Sequence, residues 1–302
     1  MSTTRLERKP PPDTPEEFLD MVRDHHEGKR VLRPRHCKNQ EACAKIKKCD
    51  RVIAAIGTLD EPGYQERVPL RLGGHHALRL CDEIKGSMEV GKEGFSSKQR
   101  EASDTFQALL EDTSDNALLE RLDRDDAREV KKREMKELIK IFSTIFFPTK
   151  WSDDEMELDF KWEDWSDQPE MIGEYYGREY RQPRIEMCAF NHDEKPSHGD
   201  LTGLAMDRLV TILHELVHAY LEQYACRCVP NPTSFEEDVD QLDGHGRAWQ
   251  RIASSVERAA PDLVGLPINL DSFNSILANW DELVHWPTEK EVKDWKLSSH
   301  ET

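Results

Sequence analysis

Residues 211–220 read Thr-Ile-Leu-His-Glu-Leu-Val-His-Ala-Tyr, and this stretch decides the fold. Four residues of an α-helix advance about 400°, so His214 and His218 fall one turn apart on one face. Two imidazole nitrogens placed that way can grip one Zn²⁺ at ~2.0–2.1 Å. Glu215 lies about 100° further round the helix. That sets its carboxylate beside the metal, where it accepts a proton from water without being a ligand. A helix is predicted over Thr202–Tyr224, with a broad apolar face of Ala205, Leu209, Ile212, Leu213, Leu216, Val217, Tyr220 and Leu221. Burying two imidazoles and a carboxyl in such a helix without partners would cost on the order of several kcal/mol. A bound metal removes that penalty, so one Zn²⁺ per chain is expected.

A catalytic zinc takes a third protein ligand and keeps a fourth position open. The compact H-E-x-x-H-x-x-G-x-x-H arrangement is ruled out, because Leu221 and Tyr224 stand where it needs Gly and His. Glu236 and Glu237 lie 18 and 19 residues after His218, near the spacing of thermolysin-like enzymes, but inside an acid-rich run. His245, in Asp243-Gly-His-Gly246, is the preferred ligand. Its flanking glycines permit a sharp turn, and Trp249, Ile252 and Val256 would dock the following helix beside the first. That second helix is predicted from Arg247 to a stop at Pro261.

The rest of the chain frames this core. Of 302 residues, 37% are hydrophobic and 34% charged, and the net charge is -18. This is lean in apolar residues for a compact domain, and too acidic for a chain that coats nucleic acid over its whole surface. No apolar run reaches the ~20 residues of a membrane helix, so no membrane partner is expected. The opening MSTTRLERKPPPDTPEEF lacks the apolar core of a secretory signal. With an odd count of seven cysteines, this points to reduced thiols in cytoplasm or nucleus, not to secretion.

Residues 1–127 read as a largely disordered or weakly ordered N-terminal region. Within it, Thr14 caps a short helix to His26, with Pro15 at its first position. Residues 29–51 carry nine Lys or Arg against two acids, a solvated basic segment or a phosphate-contacting patch. His36, Cys37, Cys43 and Cys49 there lack the short spacing of zinc knuckles. The ordered domain is expected over 128–262. Its elements are a helix at Val130–Phe147, a strand at Met156–Trp162, a second strand at Arg184–Phe190, the zinc helix and the helix after it. Residues 263–302 form a C-terminal tail whose Trp280, Trp286 and Trp295 are expected to fold back onto the domain.

TILHELVHAYL followed by DGHGRAW resembles the SprT-like zinc metallopeptidases, the family that includes Spartan. The likeness runs from about Arg128 to Ala260. It implies a small zincin-like α+β metalloprotease domain, with His245 as third zinc ligand and an aromatic a few residues beyond. For Spartan-type members it also implies a nuclear location and cleavage of proteins associated with or crosslinked to DNA. Two departures stand out. Residues 226–242 look like an insertion, and no cysteine follows Cys228, so no four-cysteine zinc ribbon is expected after the domain.

The expected function is a zinc-dependent metalloendopeptidase acting on protein substrates, with Glu215 as general base. Arg247 and Tyr220 are the candidates for a second oxyanion donor. The Arg184–Phe190 strand is the expected edge for an extended substrate to join by strand addition. Two rival readings remain. One is a zinc-stabilised, non-catalytic scaffold that recruits partners through its tails. The other is a nucleic-acid adaptor working through residues 29–51.

Overall fold

A computed structural model describes residues 12, 14–26, 73, 75–89, 91–114, 116–147, 156–168, 171–177, 182–191, 203–225, 227, 238–240, 242–277 and 286–295. The basic stretch at 29–51 with its His and Cys residues, the Glu236–Glu237 pair, Trp280, Cys226 and Cys228 lie outside them.

The chain is α+β. Its elements are α1 (Pro15–His26), α2 (Ala77–Glu89), α3 (Ser97–Glu111), α4 (Leu118–Leu122), α5 (Lys132–Phe146), β1 (Asp159–Glu163), β2 (Gly173–Tyr176), β3 (Arg184–Cys188), α6 (Gly203–Tyr224), α7 (Arg247–Val264), α8 (Ser272–Leu277) and α9 (Glu289–Asp294). No described helix is long and apolar enough to cross a membrane.

The strands form one sheet in the order β1-β3-β2, with β3 parallel to β1 and antiparallel to β2. Phe160 pairs with Ile185, which also pairs with Tyr175. Helices α5 and α6 pack on this sheet, and α7 packs on α6. Strand β3 is buried over nearly its whole length. On the face opposite Ile185 and Met187, the buried Glu186 is met by the Arg184 guanidinium at 2.5 Å, which offsets the penalty of a lone buried charge.

The central place of β3 corrects the expectation that Arg184–Phe190 offers an edge to substrate. Both its sides are taken. Among the described residues β1 and β2 each pair on one side only, and β2 is the edge that packs against α6. The Cys188 N–H donates to the Ile172 carbonyl at 2.9 Å. By the two-residue period of an antiparallel ladder, the backbone groups of Gly173 and Tyr175 therefore point to the unpaired side.

A second correction concerns where the ordered domain begins. Helices α2 and α3 belong to the main core, upstream of residue 128. Leu80, Cys81, Ile84, Phe95, Phe106 and Leu122 share one buried cluster with Phe142, Leu213 and Trp249. Helix α3 follows a capping box at Ser96, whose hydroxyl accepts from the Gln99 N–H while Gln99 reaches back to the Ser96 N–H. Its buried side chains are mostly polar, and they satisfy carbonyls of other elements. Gln99 donates to the Ile145 carbonyl, Ser103 to that of Leu263, and Gln107 to that of Val264.

Pro261 does not end α7. The helix runs on to Val264 because Leu263 and Val264 are buried, and it stops at Gly265, whose left-handed backbone has φ 74. At the N-terminus Thr14 caps α1 as expected, its Oγ1 accepting from the Glu17 N–H at 3.2 Å. The tail also folds back. Trp286, Val292 and Trp295 are buried with Phe18, Met21 and Val22 of α1, with Ile276, and with Leu242, in a second cluster separate from the main core.

Candidate metal centre

Helix α6 is buried on almost every side, so its position is fixed along its whole length. His214 and His218 project from it one turn apart. His245 arrives from the turn at 242–245, in which Leu242, Asp243 and Gly244 have φ of 54, 53 and 88. Three consecutive left-handed residues reverse the chain and bring the third ring inward. Gly244 is demanded twice over. Its φ is costly for an L side chain, and a Cβ there would lie 3.0 Å from Cε1 and Nδ1 of the His218 ring. Gly246 is needed because a Cβ would lie 2.8 Å from the Asp238 carbonyl oxygen.

The three Nε2 atoms converge. They are 3.2 Å apart for His214 and His218, 3.3 Å for His218 and His245, and 2.8 Å for His245 and His214. On the far sides of two rings sit backbone carbonyls. His245 Nδ1 is 2.9 Å from the Leu242 oxygen and His214 Nδ1 is 3.3 Å from the Leu270 oxygen. A carbonyl can only accept, so Nδ1 of each ring carries the proton and Nε2 presents its lone pair. Lone pairs facing one another at this range repel unless a cation lies between them. Three ligands of a tetrahedral ion bound at ~2.05 Å stand about 3.3 Å apart. The donor set, its spacing and its tautomers thus fit a Zn²⁺ ion, and among the described residues no other His, Cys, Asp or Glu group does.

Burial keeps these rings uncharged, as metal ligation requires. It lowers His214 to about 3, with His245 nearby adding to the effect. It holds His218 well below the usual histidine range and His245 below it too. Trp249 walls the site, its ring centroid 4.7 Å from those of His214 and His245 and 5.8 Å from that of His218.

The Glu215 side chain packs against β2, its carboxyl 3.4 Å from where a Cβ at Gly173 would lie. Its buried carboxyl accepts the Tyr175 backbone N–H on the unpaired side of β2. Burial raises it from 4.5 to about 8, against the lowering effect of that hydrogen bond. It is not among the converging ligand atoms.

Both residues considered as oxyanion donors are engaged elsewhere. Tyr220 packs in the main core, 5.3 Å from the Phe147 ring and 5.1 Å from the Tyr224 ring, on the side of α6 away from the histidines. Arg247 is paired with Glu291 of α9 at 2.8 Å.

Glu257 is a positioning residue not foreseen from the sequence. Buried on α7, it accepts the Leu270 N–H at 2.7 Å and the Ser272 hydroxyl at 3.3 Å. It thereby fixes the segment whose Leu270 carbonyl faces His214 Nδ1. Such outer partners set ring orientation at metal sites. The available signal was a single acid amid Ile252, Ala253, Val256 and Ala260.

Comparison of the chain with protein families, with curated proteins and with solved structures gives no match.

Proposed function

We propose that the chain is a zinc-dependent endopeptidase of the SprT-like, zincin type. The observation that carries this reading is the convergence of three Nε2 atoms, two of them from a helix whose buried Glu215 accepts a backbone N–H of the edge strand β2. His214, His218 and His245 would hold the ion. When bound, zinc supplies Lewis acidity, which lowers the pKa of water and polarises a carbonyl.

The protein's own groups do the rest. The backbone of Gly173, which faces away from β3, would line an extended polypeptide up along β2, held by main-chain hydrogen bonds. This places the scissile bond next to Glu215. A carboxyl whose affinity for protons has been raised by burial is suited to the task. It takes a proton from the attacking water at its free oxygen and returns it to the departing amine. Its ionised form would be favoured by a cation held on the three rings. Trp249 and the apolar wall of α6 exclude bulk water, so the carboxylate acts in a low dielectric.

By its resemblance the substrate class is protein associated with or crosslinked to DNA. The test is cleavage of a disordered protein by zinc-loaded wild type and by Glu215→Gln, each with and without single-stranded DNA. Loss in the variant under either condition supports the peptidase. Equal absence of cleavage in both proteins supports the scaffold reading.

A further inference from the structure

Leu242 faces two ways. Its carbonyl oxygen accepts from His245 Nδ1 at 2.9 Å, and its side chain is buried in the terminal cluster with Phe18, Trp286 and Trp295. That cluster is built from the two ends of the described chain. Phe18 of α1 stacks on Trp286 at 6.3 Å between centroids, and Arg23 meets Glu289 at 3.3 Å. A second tie runs from α9 to the far side of the same turn, where Glu291 pairs with Arg247. The turn that carries His245 is therefore gripped at both ends, at 242 and at 247, by one small unit distinct from the main core.

The grip has a reason. Leu242 and Asp243 both sit in left-handed backbone, a conformation that non-glycine residues leave unless surrounding contacts hold them. A leucine is a poor choice there on backbone grounds alone, and its side chain is what the cluster buries.

We infer that the α1–α9 cluster is a clasp that positions His245 for the metal by anchoring Leu242. This rests on the reading of His245 as third ligand. Leu242 is then a positioning residue, and the clasp couples the chain ends to the metal centre. The coupling is reciprocal: docking of the ends tightens the metal, and the metal holds the ends docked.

Leu242→Gly separates the clasp from a simple backbone requirement. Glycine relieves the left-handed strain but leaves nothing in the cluster. If only the turn conformation mattered, zinc affinity would hold or rise. The experiment is chelator competition for zinc on full-length wild type, His245→Ala, Leu242→Gly, Leu242→Met and Phe18→Ala, with helical content followed by circular dichroism. The clasp predicts unchanged helical content throughout and zinc binding weakened by ~10–100-fold in Leu242→Gly and Phe18→Ala, with Leu242→Met near wild type. Wild-type affinity in Leu242→Gly alongside weak binding in His245→Ala overturns the clasp and leaves the ligand assignment standing. Wild-type affinity in His245→Ala overturns both. A second readout needs no variant: amide exchange at 15–26 and 286–295 should slow when zinc is bound, and equal exchange with and without zinc contradicts the coupling.

Discussion

Gly173 lies so close to Thr211 that a Cβ at 173 would overlap Thr211 Cγ2, and would also come within 3.4 Å of the Glu215 carboxyl. The edge strand can approach the site helix only because this position has no side chain. Gly173→Ala is expected to push β2 off α6 and shift Glu215. Misplacing a reacting group by ~1 Å costs on the order of 10²-fold in rate. Zinc content should stay at the wild-type level while cleavage falls by about that factor. Retention of full activity would mean that β2 does not set the geometry of Glu215.

The ligand set makes a separate prediction. His214→Ala, His218→Ala and His245→Ala should each lose zinc, measured by metal analysis after dialysis. A Glu236→Ala, Glu237→Ala double variant should keep it. The reverse pattern would transfer the third ligand to the glutamate pair.

How much of this was legible beforehand follows from what kind of residue does each job. The relative placement of His214, Glu215 and His218 is fixed by helical period alone. The turn at His245 was readable from its two glycines, and the structure supplies their steric reasons in the His218 ring and the Asp238 carbonyl. Strand β2 was not readable, because Gly173–Tyr176 is short, half-buried throughout and carries no alternation. Helix α3 escaped for a different reason. Two of its three fully buried side chains, Gln99 and Ser103, are polar, and its large apolar contacts, Phe106, Leu109 and Leu110, fall in its second half, so the first half carries little apolar signal. Glu257 and Leu242 act through backbone partners distant in sequence, which no local pattern reports.

Acid and base should act on the metal-free protein in opposite ways. His214 is lowered from 6.5 to about 3, so its contribution to stability is full above 6.5 and is lost as pH falls toward 3. Glu215 is raised from 4.5 to about 8, so its contribution is full below 4.5 and is lost as pH rises through 8. Urea midpoints of metal-free wild type and Glu215→Gln should therefore diverge between pH 4.5 and 8, wild type losing stability relative to the variant as pH rises. A constant difference across that window would show that Glu215 is not buried as described.

Glu257→Gln tests the outer support of His214. It retains size but weakens the acceptor for the Leu270 N–H. Zinc affinity should fall by ~10–100-fold with the fold intact by circular dichroism, and Glu257→Asp should also weaken it by shortening the reach. Unchanged affinity in both would leave Leu270 held by other contacts.

The most direct test of the peptidase is the rate at which zinc-loaded protein cleaves a disordered polypeptide, compared between wild type and Glu215→Gln. The substitution keeps the size and hydrogen bonding of a side chain that is not a ligand, so zinc should remain at one ion per chain. Removing a general base costs ~10²–10⁴ in rate. The expected result is cleavage by wild type and a loss of that size in the variant. Cleavage by Glu215→Gln at the wild-type rate would contradict the account.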